Sequence, residues 1–394
     1  MDAIAIIFKC DAGAVIHAYP YSWRRYFCKQ SVFQMINLKK KLTAEVSKSG
    51  KVKIDDVARF ANVSPATVSR VLNHPDIVRE ELQAKVHAAI KALSYTPDNA
   101  ARALMSRRSR AIGIVVPTLK TSIFAEGIEA LQVRLSESGY TLLIAASQYD
   151  PNREVQEIRT LVERGVDGIV LVGNSHLSEA FEIIRRHQMP VVTTYVKHSP
   201  DGVPTIGIDN ENAIFQLTQH LLRIGHLNYG VIVNTQASSD RSRARLEGIN
   251  RALSGAGIVL DEAHVARSSH LVLNGRQGLR DLLRHDPTIT AVICTTDTLA
   301  LGALAEAKAL GLQVPKDLSI TGFDDIELAA HLEPALTTIR TPAKDIGRVA
   351  ADYLIAVING TRAPEDLTLP FEVVLRASTS RPRNKPLRAD LLSR

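Results

Sequence analysis

The amino-acid sequence, 394 residues long, predicts a small all-α helix-turn-helix head, a hinge helix, and an α/β core of two lobes built on parallel sheets. Three observations support this. Residues 52–95 fall into short helical stretches. Residues 96–110, "TPDNAARALMSRRSR", form a Pro-started, Arg-rich connector. From Ala111 onward, Val- and Ile-rich runs alternate with amphipathic segments. Continuous apolar strands separated by helices are the pattern of parallel sheets covered on both faces. An α/β region running from 111 to 375 is long enough to favour two lobes over one large sheet.

The head is legible in "VKIDDVARFANVSPATVSRVLN" (52–73). Ile54, Val57, Ala58 and Ala61 fall at i, i+3, i+4 and i+7, one apolar stripe of a helix. Asn62 tolerates the positive φ of a tight turn, and Val63 fills the gap to a second helix. Ser64 suits the N-cap and Pro65 the first helical position, where a missing N–H costs nothing. Val68, Val71 and Leu72 repeat the inward stripe. Ala66, Thr67, Ser69, Arg70 and Asn73 are left facing outward, a short polar face suited to base edges and phosphates. Arg70 offers two donors to a guanine edge, and Asn73 can bond a base or a phosphate. A plain helical hairpin packed in a core is the competing reading.

In the core, the strand candidates are 111–117, 141–147, 168–173, 190–195, 229–233, 291–296 and 318–324. Amphipathic segments near 123–138, 152–164 and 178–188 lie between the first four. Parallel sheets bind ligands outside the carboxyl ends of their strands. That points to the turns after Pro117, Ser147, Gly173, Asn234 and Thr296.

Charge divides the chain more sharply than its net +7 suggests. Residues 1–110 carry 19 Lys and Arg against 9 Asp and Glu, residues 111–375 carry 23 against 31, and residues 376–394 carry 6 against 1. A basic head on an acidic body suggests that the head meets a polyanion. The three cysteines, Cys10, Cys28 and Cys294, give no disulfide framework or zinc pattern and fit a reducing cytoplasm. No apolar run approaches the ~20 residues of a membrane span. The run "AIAIIF" (3–8) follows Asp2 and lacks a cleavage site, so it does not read as a secretory signal. Residues 1–50 show no clear period. They read either as a basic arm or as an upstream start that the mature protein does not use, with Met35 just before "INLKKKLTAEVSKSG". Phosphate-loop, dinucleotide-loop, HExxH and GxSxG motifs are missing, and the 12 histidines lack metal-ligand spacing. The expectation is no enzyme, no metal and no cofactor.

"VKIDDVARFANVSPATVSRVLN", "KALSYTPDNAARALMSRRS" and "AIGIVVP" together resemble the lactose-repressor (LacI/GalR) family of bacterial transcription regulators, over roughly residues 52–380. The resemblance implies that Ser64, Pro65, Ala66, Thr67, Ser69, Arg70 and Asn73 line contacts to the major groove and its phosphates. It makes residues 98–106 a hinge helix that folds on the operator, with Ala101 and Leu104 in the minor groove and Leu104 the wedge. So short a helix is unstable alone in water, and a partner hinge and DNA would tip it. The core is similar to the family's periplasmic-binding-protein-like effector domain. Ile123, Phe124, Tyr195, Arg245, His270 and Asp297 match its effector positions. Asp297 equally suits a cap for helix 298–310, a surface ion pair is the lesser alternative for Arg245, and Asp209, Asp324 and Asp325 read first as caps and turn formers. Asn62 stands where the family has Gly, and Arg79 stands where it caps the third helix with Ser or Thr.

The expected division is an extension (1–50), a helix-turn-helix domain (51–96), a hinge (97–110), a two-lobed effector and dimerisation domain (111–378) and a basic tail (379–394). The expected function is a ligand-responsive, cytoplasmic homodimer, most simply a repressor, that binds a palindromic operator and a sugar, sugar acid or similar polar metabolite. The alternative, a solute-binding protein for a small polar metabolite, has no use for residues 52–110.

Overall fold

The computed structural model describes residues 52–96, 108–234, 239–362, 366–384 and 387. The chain divides between Ala101 and Arg102 into two units. The extension 1–50 and the hinge positions Ala101 and Leu104 lie outside the described residues.

The first unit contains helices α1 (Ile54–Ala61), α2 (Pro65–Asn73) and α3 (Glu80–Leu93). Val57, Ala58 and Ala61 of α1, Val68 and Val71 of α2, and Val86 and Ala89 of α3 form its buried core. Asn62 ends α1 at φ 54°, and the next amide, Val63 N–H, donates back to the Ala58 carbonyl at 3.0 Å. Arg79 precedes α3 without a side-chain cap. Gln83 ties the preceding turn to the helix instead: its Nε2 donates to the carbonyls of Pro75 and Val78, both at 2.8 Å.

The second unit runs β1 (Ala111–Val116), α4 (Ser122–Glu137), β2 (Thr141–Ala146), α5 (Pro151–Glu163), β3 (Gly168–Val172), α6 (Ser178–Arg186), β4 (Val191–Thr194) and β5 (Thr205–Gly207). It continues through α7 (Asn210–Arg223), β6 (Tyr229–Asn234), α8 (Asp240–Gly255), β7 (Val265–Ser268), α9 (Val272–His285), β8 (Ala291–Cys294), α10 (Asp297–Ala309) and β9 (Ser319–Thr321). Last come β10 (Thr338–Arg340), α11 (Ala343–Ile358), β11 (Asp366–Thr368) and β12 (Glu372–Val374).

Two parallel sheets result, in the orders β11-β5-β4-β3-β1-β2 and β7-β6-β8-β9. All seven expected strands are present. The short antiparallel pair β10-β12 was not expected. In the first lobe α4 and α11 cover one face and α5 and α6 the other. In the second, α9 and α10 cover one face and α7 and α8 the other. Burial of leucines and isoleucines such as Leu131, Leu135 and Ile158 stabilises these layers by about 1.5–3 kcal/mol each. Glycines permit close approach where α11 crosses α4, α8 crosses α7 and α9 crosses α10: a Cβ on Gly347 of α11 would stand 2.1 Å from the Gly127 carbonyl of α4. Among the described residues no helix is long and apolar enough to cross a membrane.

Candidate functional site

The head presents one polar face. Ser64, at φ −76° and ψ 153°, turns its Oγ to accept the Thr67 amide at 3.1 Å, satisfying one orphan donor of the first turn. The Thr67 hydroxyl adds a 2.9 Å contact to the same oxygen. Because Val68 and Val71 point into the core, Ser64, Pro65, Ala66, Arg70 and Asn73 are exposed, and Thr67 and Ser69 are partly so. Asn73 Nδ2 donates to Ser69 Oγ at 3.3 Å, which holds two of the outward groups in register one turn apart.

Between the two lobes of the second unit lies a cleft of about 490 Å³, its open side included. From the first lobe come Ile123 and Phe124 at the start of α4, Tyr149 after β2 and Tyr195 after β4. Phe124 and Tyr195 meet edge to face at 5.4 Å, and the Tyr195 hydroxyl donates to the Ile123 carbonyl at 3.1 Å. Across from them stand Arg241 and Arg245 of α8, with His270, Thr296 and Asp324. The rings of Tyr149 and His270 lie 5.2 Å apart, tilted by 36°.

Arg245 is the best-fixed polar group of the cleft. Its Nε donates to Asn210 Oδ1 at 3.0 Å, its Nη1 to the Thr295 carbonyl at 2.6 Å, and its Nη2 meets Asp324 Oδ1 at 3.4 Å. Its guanidinium lies 3.5 Å above the Phe323 ring. Burial pulls the guanidinium below its ordinary pKa, with Asp324 opposing. The Asp324 carboxyl is pushed up to about 6 by burial, against the pull of Arg245 and Arg241. Three of the five N–H donors on the rigid Arg245 fork are engaged, and the residue lines the cleft. An acceptor carboxylate stands beside them, and aromatic rings face them.

Of the six residues expected at the cleft, the structure brings together Ile123, Phe124, Tyr195, Arg245 and His270. Asp297 is placed differently. It is wholly buried beneath the floor, where Oδ1 accepts from the Thr338 hydroxyl at 2.6 Å and Oδ2 from the Ile326 amide at 2.9 Å. Nor does its side chain cap α10; that bond comes from Thr296 Oγ1, which accepts the Leu299 amide at 3.3 Å. Asp209 caps α7 as expected, accepting from the Asn212 amide at 2.9 Å. Asp325 acts structurally, gripping Arg340 at 2.8 Å and Arg376 at 2.7 Å. Asp324, Arg241 and Tyr149 were missed. The strand-end rule already marked the turn that carries Tyr149, and Asp324 differs from Asp325 only in which side of the chain it faces.

Residues 53–98 match the model described as "Bacterial regulatory proteins, lacI family", and residues 109–377 match "Periplasmic binding proteins and sugar binding domain of LacI family". The chain belongs to the LacI family. Among its relatives is the HTH-type transcriptional repressor CytR of Escherichia coli strain K12, 34% identical over 326 residues, 82% of this chain and 95% of that protein. Catabolite control protein A of Priestia megaterium is 30% identical over 329 residues, covering 83% of this chain and 99% of that protein. The lac repressor dimer bound to operator and the anti-inducer ONPF superposes with a TM-score of 0.76 at 25% identity, over 84% of this chain and 99% of that one. The transcription regulator GntR from Chromobacterium violaceum gives 0.65 at 33% identity, over 68% of this chain and 99% of that one. This LacI-family chain is accordingly a ligand-responsive DNA-binding transcriptional regulator, and its relatives are regulators rather than enzymes.

Proposed function

We propose that the chain acts in the cytoplasm as a homodimeric repressor of a carbohydrate or sugar-acid utilisation operon. Two heads engage a palindromic operator through the Ser64–Asn73 face, with Arg70 reading a guanine edge and Ala101 and Leu104 entering the minor groove. A polar metabolite of sugar or sugar-acid type occupies the cleft, its oxygens on Arg245 and Asp324 and its apolar face against Phe124 and Tyr195. In the arrangement described, Asp297 contributes from beneath, by holding the Ile326 amide and Thr338 under the cleft floor.

The observation that carries this reading is the coexistence, on one chain, of a capped helix with a polar outward face and a two-lobed cleft holding a clamped arginine. The direct test is fluorescence anisotropy with duplexes from the protein's own upstream region. It is run at low ionic strength with and without candidate sugars, sugar acids and nucleosides, beside a thermal-shift screen of the same panel. Specific binding relieved by a metabolite that also raises Tm supports the reading. Equal affinity for every duplex overturns it.

A further inference from the structure

Behind the cleft, one buried histidine is bonded in a way that fixes its proton count. His176 follows β3, with Nδ1 2.6 Å from Glu154 Oε1 on α5 and Nε2 2.9 Å from the Gly173 carbonyl oxygen. A carboxylate and a carbonyl have no hydrogen to give. Both contacts are hydrogen bonds only if the ring carries two protons, or if Glu154 holds one and donates it to Nδ1. Either way the pair keeps one proton more than a neutral ring beside an ionised carboxylate. The two side chains are 1% and 9% exposed, and the Phe181 ring meets the imidazole edge-on at 5.4 Å.

That proton braces a loop that reaches the other lobe. The Asn174 amide donates to Asp240 Oδ2 at 2.6 Å, and Arg243 Nη2 donates to Ser175 Oγ at 3.0 Å. The second oxygen of Asp240 accepts from Arg241 Nη1 at 2.8 Å, and Arg241 lines the cleft, 5.9 Å from the Phe124 ring centre. Gly173, at φ 93°, makes the seat: a Cβ there would stand 2.1 Å from Arg241 Nη1. A continuous set of bonds thus runs from Glu154 through His176 and the 173–175 backbone to Asp240 and Arg241.

We propose that Glu154 and His176 are positioning residues for the effector cleft: by bracing the 173–176 loop they present the Asn174 amide to Asp240 and so aim Arg241 across the lobes. The proposal rests on reading the cleft as the effector site. The groups facing His176 are Glu154 from α5, the Gly173 carbonyl from its own loop, Asp240 from α8 and the Phe181 ring from α6. Burial alone would lower the imidazole pKa, but Glu154, the Gly173 carbonyl and Asp240 outweigh it and raise it. The brace is therefore intact at low pH and is lost as pH rises through that raised value.

The test is hydrogen exchange by mass spectrometry on the full chain, with rates divided by the intrinsic rate at each pH, following peptides over 170–178 and 239–245. In the wild type, protection at Asn174 should fall about tenfold or more as pH rises past the transition, while the first-lobe strands stay protected. His176→Gln should be less protected there at low pH and show no pH step, and Asp240→Ala should lose Asn174 protection at every pH. Protection that does not change with pH in the wild type overturns the proposal without any variant, as does a step that survives in His176→Gln. A second arm titrates D-glucose, D-gluconate and cytidine. A compound that binds the wild type should bind more weakly above the step and should lose that pH dependence in His176→Gln; unchanged affinity overturns the aiming of Arg241. If none of the three binds, the effector reading for this panel fails, while the exchange arm still decides the brace.

Discussion

Asp167 grips Ser109. Its Oδ1 accepts both the backbone N–H of Ser109, at 2.9 Å, and its hydroxyl, at 3.1 Å, while Oδ2 accepts the Arg110 amide at 2.8 Å. Beside it, Arg108 donates to the Ile358 carbonyl at 2.8 Å and to Asn359 Oδ1 at 3.1 Å, closing the end of α11. Arg110 itself sits at φ 54°, a left-handed conformation that a side chain rarely adopts. One carboxylate therefore fixes how the chain enters β1.

Replacing that carboxylate should release the entry point. Asp167→Ala strips two backbone amides of their acceptor and should cost about 1–3 kcal/mol in urea unfolding. Trypsin should then cleave after Arg108 faster than in the wild type. Unchanged stability together with unchanged cleavage would reduce the grip to a surface contact.

Arg70 is exposed and points away from the head core. Arg70→Ala should weaken operator binding by about 1–3 kcal/mol and relax specificity at one base pair, leaving the Tm of the head within error. A uniform loss across all base positions would make Arg70 a phosphate contact instead.

Arg245 binds three acceptors that point in different directions, and a single ammonium cannot replace that fork. Arg245→Lys should abolish the response to a metabolite that binds the wild type, and removal of the fork leaves Asp324 poorly paired in a buried site. Calorimetry with that metabolite decides the point: binding within twofold of the wild type would move the effector contact elsewhere.

Asp324 and Asp297 are both buried, with carboxyls raised by burial to about 6 and about 7, Asp297 also by the charge of Asp324. A carboxyl whose folded pKa exceeds its unfolded value binds protons more tightly in the native state. Its stabilising contribution is complete below the ordinary value of 3.8 and is withdrawn as pH rises through 6–7. Tm should therefore carry a component that declines between about pH 4 and about pH 7. Asp297→Asn should flatten that component even if it lowers Tm throughout. A variant with the wild-type slope would rule out Asp297 as its source.

Much of this was legible because it is local. The Ser64-Pro65 start, the Asn62 turn and the Val57–Val71 stripes depend on residues within a few positions of one another. The strands declared themselves because both faces of a parallel sheet are buried, as in Ile169–Val172 of β3. What stayed hidden depends on crossings distant in sequence. Asp324 meets Arg245 only because β9 returns beside β8, and Asp297 turns inward because Thr338 arrives from β10. The β10–β12 pair was silent since each strand has three residues and its partner lies more than thirty positions away. The brace at His176 had no sequence signal: Glu154 and His176 lie on different elements, 22 positions apart.

Regulation rests on one coupling, between the cleft and the head. The measurement that reaches it directly is the dissociation constant of the full chain for a duplex it selects from random sequence, taken at rising concentrations of a metabolite that raises its Tm. A saturable change of about 5- to 150-fold is expected, with half-effect at the metabolite's own binding constant. A metabolite that binds the cleft tightly while the constant for DNA stays fixed would contradict it.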